Sequence, residues 1–340
     1  MDALKPILQK LAQGQSLSSS EACQAFDTIL NGQASSGQIG GFLMALQQRG
    51  ETIEEITAGA QVMRKNALQV KAPTDAIDTC GTGGDGSGSY NISTAVALVA
   101  AACGAHVAKH GNRALSSKSG SSEVLEALGV RLDLSPEALE SCIQEVGIGF
   151  LFAPNHHAAM RHVGPTRQEL GFRTIFNLLG PLSNPAGAKR QLLGVYDKRW
   201  VEPLAHVLKK LGSERAWVVH GSDGLDELTT TGKSTVAELR KGEVRVFEVT
   251  PEEAGLSRAA PEDLIGGTPA ENAEALTALL NGEKNAYRDI VLFNAAAALC
   301  ITNKAPNLSD GVEMAALAID DGGAKKTLAE LVKTSQRLAS

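Results

Sequence analysis

Ala76-Ile77-Asp78-Thr79-Cys80-Gly81-Thr82-Gly83-Gly84-Asp85-Gly86-Ser87-Gly88-Ser89-Tyr90-Asn91-Ile92-Ser93-Thr94 passes from a short β-rich run, through five glycines between 81 and 88, into an Ala/Val-rich helical pattern. Glycine lets the backbone approach a ligand closely and turn its N–H groups inward. Asn91-Ile92-Ser93-Thr94 supplies N-cap residue types at the positive end of a helix, a natural seat for phosphate. The competing reading is a flexible surface loop with an ordinary cap. Two motif matches fail on inspection. Gly81-x-Gly83-x-x-Gly86 lacks the acid about twenty residues on that a dinucleotide site requires, because the next strand ends in Lys109-His110. Gly232-Lys233-Ser234 lacks the earlier P-loop glycine, whose place is taken by Glu227.

The same strand–helix alternation continues outward. Further β-rich runs occur at His106–Lys109, Ile148–Phe152, Leu192–Tyr196 and Ala216–His220, with helical patterns at Thr94–Cys103, Glu123–Leu128, Pro136–Val146 and Trp200–Leu211. Alternation of this kind predicts a mostly parallel sheet covered by helices. Val236–Thr250 reads as a hairpin turning at Lys241-Gly242, and helices close the chain. The first seventy residues read as helices only. One opens with the capping box Ser18-x-x-Glu21, one follows Ser36-Gly37 and ends at Gly50, and one spans about Glu51 to Asn66. Lys71-Ala72-Pro73 is the candidate linker. The expected fold is α/β: a small N-terminal all-helical domain (1–70) and a larger α/β domain (71–340) with a mostly parallel central sheet covered by helices.

A length of 340 residues allows two domains and a sizeable core. With 32 basic and 38 acidic residues the net charge is −6, which argues against a general nucleic-acid or anionic-membrane binder. The five cysteines, Cys23, Cys80, Cys103, Cys142 and Cys300, form no CxxC pair, so they read as small core residues in a reducing compartment. The start of the chain lacks a signal-peptide pattern, and Ala95–Ala105, the longest small-apolar run, falls short of the ~18 residues of a membrane span. A cytoplasmic location is expected.

From Gly86 to Ser122 there is no Asp or Glu, where about four would fall by chance. Lys109, Arg113, Lys118 and many hydroxyls stand there instead. Loops at the carboxyl ends of adjacent parallel strands share one crevice, so the expected ligand carries several phosphates; the alternative is a solvated basic loop. Farther on, Ala216–His220 leads into Gly224-Leu225-Asp226-Glu227. Adjacent carboxylates beside an anionic ligand call for a hard cation, which points to magnesium rather than zinc. An acidic surface turn is the competing reading.

Taken together, GTGGD (81–85), NIST (91–94), KHGNRALSS (109–117) and GLDE (224–227) resemble the anthranilate phosphoribosyltransferases. Arg167-Gln168-Glu169-Leu170-Gly171, Arg173 through Pro185, and Gln38–Thr52 resemble the same family, so the likeness covers nearly the whole chain. Pyrimidine nucleoside phosphorylases share single motifs. The resemblance implies transfer of a phosphoribosyl group from phosphoribosyl pyrophosphate to anthranilate. By it, Gly81, Gly84, Asp85, Ser89, Asn91, Ile92, Ser93, Thr94, Lys109, His110, Gly111, Asn112, Arg113, Ala114, Leu115, Ser116, Ser117 and Ser121 would bind the phosphoribosyl donor. Gly81, Asn112 and Arg167 would hold anthranilate, and Ser93, Asp226 and Glu227 would ligate two Mg2+ ions per monomer. An obligatory general base is not required by the chemistry; His110 is a candidate proton acceptor, with a hydrogen-bonding loop histidine as the competing reading. The resemblance also implies that the segment 165–190 packs on the helical domain, and that a homodimer forms through that domain. Neither nucleic acid nor membrane is expected as a partner. The chain departs from the family pattern at Ser89, where Thr is usual, at Ser122-Glu123 in place of a frequent Ala-Asp, and at His156-His157-Ala158, which lacks a frequent Pro. Two alternatives remain: a pyrimidine nucleoside phosphorylase, against which GLDE (224–227) and the segment Arg173 through Pro185 weigh, and a non-catalytic nucleic-acid-binding relative, against which the net charge and the Asp226-Glu227 pair weigh.

Overall fold

The computed structural model describes residues 3–114 and 118–339. Four helices come first: α1 (Lys5–Ala12), α2 (Ser19–Leu30), α3 (Ser36–Arg49) and α4 (Ile53–Asn66). Reciprocal capping boxes open the last three, from Ser18 to Glu21, Ser35 to Gln38 and Thr52 to Glu55. The second box lies one residue before the Ser36-Gly37 pair that signals this helix in the sequence. Gly50 ends α3 at φ 90°, a conformation that disfavours a side chain.

The remainder is built on β1 (Ile77–Gly81), β2 (Val107–Gly111), β3 (Ile148–Phe152), β4 (Arg190–Gly194), β5 (Arg215–Gly221), β6 (Ser234–Arg240) and β7 (Glu243–Val249). Between and after them run α5 (Ile92–Ala102), α6 (Ser121–Ala127), α7 (Pro136–Val146), α8 (Ala153–His156), α9 (Gly164–Leu170), α10 (Ile175–Leu179) and α11 (Val201–Lys210). The chain closes with α12 (Pro269–Leu280), α13 (Ala286–Ile301), α14 (Leu308–Asp320) and α15 (Gly323–Leu338). The sheet order is β3-β2-β1-β4-β5-β6-β7; the first five strands are parallel and β6 and β7 form an antiparallel edge. Lys241 (φ 52°) and Gly242 (φ 78°) make the tight turn of that hairpin. The strand read at Leu192–Tyr196 lies two residues earlier, at Arg190–Gly194, because all five of its residues pair in register with β1 and with β5.

Alternating side chains of the sheet feed two cores. Leu192, Trp217 and Val219 join a core with α5, α13 and α14, whereas Leu193, Val218 and Ala216 join one with α11 and α1–α4. The second core also contains Val163, Ile175, Phe176, Leu178, Leu179 and Leu182. Phe26 links these parts, edge-on to Phe42 at 5.4 Å and to Phe176 at 6.0 Å. Gly59 on α4 permits that closeness, since a Cβ there would lie 2.8–2.9 Å from Leu179 and Phe26. Among the described residues, no helix is long and apolar enough to cross a membrane.

Candidate active site

In the order 3-2-1-4-5 the chain winds outward in opposite directions from β1 and β4. In open α/β sheets this switch point leaves a crevice beyond the strands' carboxyl ends. The glycine loop leaves β1 here. Thr82 N–H donates to the Gly194 carbonyl at 3.0 Å, and the Tyr196 N–H donates back to Thr82 Oγ1 at 3.0 Å. Gly83 N–H donates to Asp226 Oδ2 at 2.8 Å, joining residues 143 positions apart. Two glycines make room for Asp226: a Cβ on Gly81 would collide with its carboxylate, and one on Gly194 would overlap its backbone carbonyl.

Farther along the loop, Asp85 accepts from Ser87 N–H and Oγ, and Gly88 accepts from Gly266 N–H at 2.8 Å. Ser89 bridges Ile265. Asn91 occupies the N-cap position of α5 but makes no side-chain cap bond. Its Oδ1 instead accepts from Ser119 Oγ at 3.1 Å and from Asn272 Nδ2 at 2.8 Å, so it ties the two phosphate-loop candidates together. Gly84 accepts from Arg173, whose guanidinium lies 4.3 Å over the Tyr196 ring.

Lys109 is buried beneath the loop, with Nζ donating to the Thr79 carbonyl and, at 3.1 Å, to Ser93 Oγ. Burial pulls its ammonium below the usual lysine range, opposed by Asp78, Cys80, Glu227 and Asp226. Burial likewise raises both carboxyls of the pair. Asp226 is pushed up further by Asp85, and Glu227 by Asp226. Two carboxylates so destabilised in their ionised form, beside a hydroxyl at Ser93, fit a hard divalent cation. Among the described residues no three His, Cys, Asp or Glu side chains gather to hold a metal, so such an ion would complete its shell with substrate oxygens and water.

Near the end of β2, in the strand rather than in the loop beyond it, the His110 N–H donates to the buried Asp78 carboxylate at 3.0 Å. Burial and the neighbouring His157 and His156 hold the His110 imidazole well below its ordinary value, hence neutral. Its ring meets that of His157 edge-on at 5.2 Å. The Asn112 carbonyl accepts from Ser121 Oγ at 3.3 Å, and a Cβ on Gly111 would strike Ser121 and Phe150. Glu123 closes the loop by accepting from Ala114 N–H (3.1 Å) and Gly120 N–H (2.8 Å). Arg113 pairs with Glu126 at 3.2 Å and lies over Phe152. Leu115, Ser116 and Ser117 lie outside the described residues. Ile92 and Thr94 are buried in α5, and Thr94 Oγ1 has no hydrogen-bond partner among the described residues.

Arg167, on α9, is half-buried and has no acidic partner among the described residues; it donates to Asn177 Oδ1 at 3.2 Å and lies over Phe176. Burial alone lowers its pKa. The structure brings Gly81 and Asp226 together, Ser93 and Lys109 together, and Asn112 and Ser121 together. Arg167 contacts Asn177 and Phe176. Gly194, Glu123 and Arg173 were given no site role by the sequence reading. A glycine inside a strand pattern was the one signal for Gly194, marking a close backbone approach.

This architecture is that of a sugar-transferring enzyme class. Residues 5–67 match the glycosyl transferase family, helical bundle domain, and residues 73–325 match the glycosyl transferase family, a/b domain. The anthranilate phosphoribosyltransferase of Azospirillum brasilense is 63% identical over 97% of this chain and 92% of its own, and that of Azorhizobium caulinodans 57% identical over 100% and 98%. The Thermus thermophilus enzyme superposes with TM-score 0.92 at 46% identity, covering 99% of this chain and 100% of that one. The Saccharomyces cerevisiae enzyme in complex with PRPP and Mg superposes with TM-score 0.91 at 29% identity, covering 98% of each chain. The chain belongs to the anthranilate phosphoribosyltransferase family.

Proposed function

We propose that the protein transfers the 5-phosphoribosyl group from phosphoribosyl pyrophosphate to the amine of anthranilate, giving N-(5-phosphoribosyl)anthranilate and pyrophosphate. This is the second step of tryptophan biosynthesis from chorismate. The observation that carries the reading is the Gly83–Asp226 hydrogen bond, which sets a glycine-rich anion loop against a carboxylate pair at the sheet's switch point.

The anomeric C–O bond to pyrophosphate breaks and a C–N bond forms. Positive charge grows on the sugar carbon and negative charge on the leaving group. The loop from Gly81 to Ser89 and the start of α5 at Asn91–Thr94 bind the diphosphate through backbone N–H groups and hydroxyls. Lys109 lies beneath, its positive charge aligning Ser93 and offsetting Asp226 and Glu227. Asp226, Glu227 and Ser93 would hold two Mg2+ ions per monomer, and the bound ions would supply charge neutralisation for the pyrophosphate leaving group. The segment from Gly111 to Ser121 takes the other phosphate. Arg167 receives the anthranilate carboxylate in its guanidinium fork, and Asn112 and Gly81 complete the anthranilate site. The aromatic amine is neutral at pH 7, so no general base is needed for attack, and neutral His110 is available for the proton afterwards.

The same reading divides the chain at residue 70, with 165–190 belonging to the helical domain, and expects a cytoplasmic homodimer formed through that domain. Anthranilate consumption with phosphoribosyl pyrophosphate, followed with and without magnesium, tests it. Turnover with magnesium supports the assignment, and no turnover in either condition refutes it.

A further inference from the structure

Arg190 opens β4, Arg215 opens β5 and Arg240 closes β6, and the sheet register sets Arg190 opposite Arg215 and Arg215 opposite Arg240. Residues directly opposed across a sheet share a face, and like charges placed so repel one another. This arginine row lies where the parallel strands begin, the end of the sheet away from Gly81 and Asp226. Above it stands the carboxyl end of α13, and between them is a cavity of about 330 Å3. Arg215, Arg240 and Lys304 border it, with Trp217, Pro306 and Leu308 supplying apolar wall.

Helix capping accounts for part of this charge. Arg190 Nη1 donates to the Thr302 carbonyl at 3.3 Å, and Arg215 donates to Asn303 Oδ1. It leaves the rest unmatched. Among the described residues, Arg190 Nε is buried without a hydrogen-bond partner. Arg240 and Lys304 are exposed, and none of the three arginines has a carboxylate within salt-bridge distance among the described residues. The bordering acid, Glu238, accepts from Trp217 Nε1 at 3.2 Å and faces Arg245 at 3.5 Å. Burial, then Arg240 and Arg190, hold the Arg215 guanidinium below its usual range.

We propose that this cavity binds a small anion with a phosphate or carboxylate head and a compact apolar body, independently of the transferase substrates. Guanidinium groups grip such heads through paired N–H donors, and an occupant would offset the mutual repulsion of Arg215 and Arg240, the two members of the row that border the cavity. The apolar wall favours an anion carrying a ring or short hydrocarbon over a bare ion.

The test uses the full-length protein at constant ionic strength, titrated separately with phenyl phosphate, benzoate and inorganic phosphate. The chain has two tryptophans, so Trp200→Phe leaves Trp217 as the reporter at the cavity wall. A saturable change in Trp217 emission is expected with phenyl phosphate or benzoate, and the stronger of the two identifies the preferred head. Inorganic phosphate is expected to bind at least ten-fold more weakly. In the chain with both tryptophans, the better probe at ten times its dissociation constant should raise the unfolding midpoint by about 2 °C. Arg240→Ala and Arg215→Gln should each weaken binding at least ten-fold, and Arg240→Ala should unfold no earlier than the parent in anion-poor buffer. An unsaturable emission change, or a midpoint shift that survives both substitutions, overturns the proposal. Neither result bears on anthranilate turnover, which is measured separately.

Discussion

Arg167 offers the sharpest separation between the two substrates. It is a half-buried cation with no acidic partner among the described residues, and it donates to Asn177 while lying over Phe176. A guanidinium carries five N–H donors, so a fork remains for a carboxylate. Each hydrogen bond to a charged partner contributes about 1.5–3 kcal/mol, and losing a bidentate pair in a partly desolvated site costs about 3 kcal/mol net. Arg167→Ala should therefore lower kcat/KM for anthranilate roughly 150-fold, while the KM for phosphoribosyl pyrophosphate changes less than about two-fold. Arg167→Lys keeps the charge but loses the planar fork, and should fall between, near ten-fold. Deleting an unpaired, partly buried cation should leave the ligand-free unfolding midpoint unchanged or slightly raised. Initial rates, read from the loss of anthranilate fluorescence with each substrate varied in turn, give both constants. Equal rises in the two KM values, or a lysine variant as active as the parent, would refute the carboxylate role.

Other outcomes follow from the same geometry. Gly194→Ala places a Cβ on the Asp226 carbonyl, so the magnesium concentration for half-maximal activity should rise at least ten-fold, measured by metal titration. Asp226 and Glu227 have folded-state values above the ordinary carboxylate range. The metal-free fold thus binds more protons than the unfolded chain, and its stability should decline as pH rises through the interval from the ordinary carboxylate values to the raised ones. Magnesium should reverse that decline and bind more weakly as pH falls; denaturant unfolding at pH 5 to 8, with and without the ion, checks both signs. Asp320→Ala strips the buried Arg288 of a partner held at 2.7 and 2.9 Å, so it should cost about 2 kcal/mol in denaturant unfolding while leaving both KM values alone.

Local chemistry was legible in the sequence wherever neighbours along the chain decide the structure. Ser18 and Glu21 announce their helix, Lys241-Gly242 its hairpin, and the glycines after Cys80 a loop that approaches a ligand. The mostly parallel sheet followed from the alternation of short apolar runs with helical patterns. What the sequence withheld depends on strand order. Nothing in the spacing of residues 81 and 226 says that β4 inserts beside β1, yet that insertion brings Asp226 onto Gly83 and requires glycine at 194. The partners of Asn91 were hidden for the same reason: Ser119 and Asn272 compete successfully with the helix end for its side chain. Arg173 stands in the sequence only as the start of a family-like stretch, until the fold sets it on Tyr196 and Gly84.

The most direct test is phosphorus NMR of a reaction containing the protein, anthranilate, phosphoribosyl pyrophosphate and magnesium, run beside the Asp226→Asn, Glu227→Gln double variant. One pyrophosphate released per anthranilate consumed, with loss of turnover in the correctly folded double variant, is the expected result. Full turnover in that variant, or pyrophosphate release that does not depend on anthranilate, would contradict transfer at the carboxylate pair of the switch-point crevice.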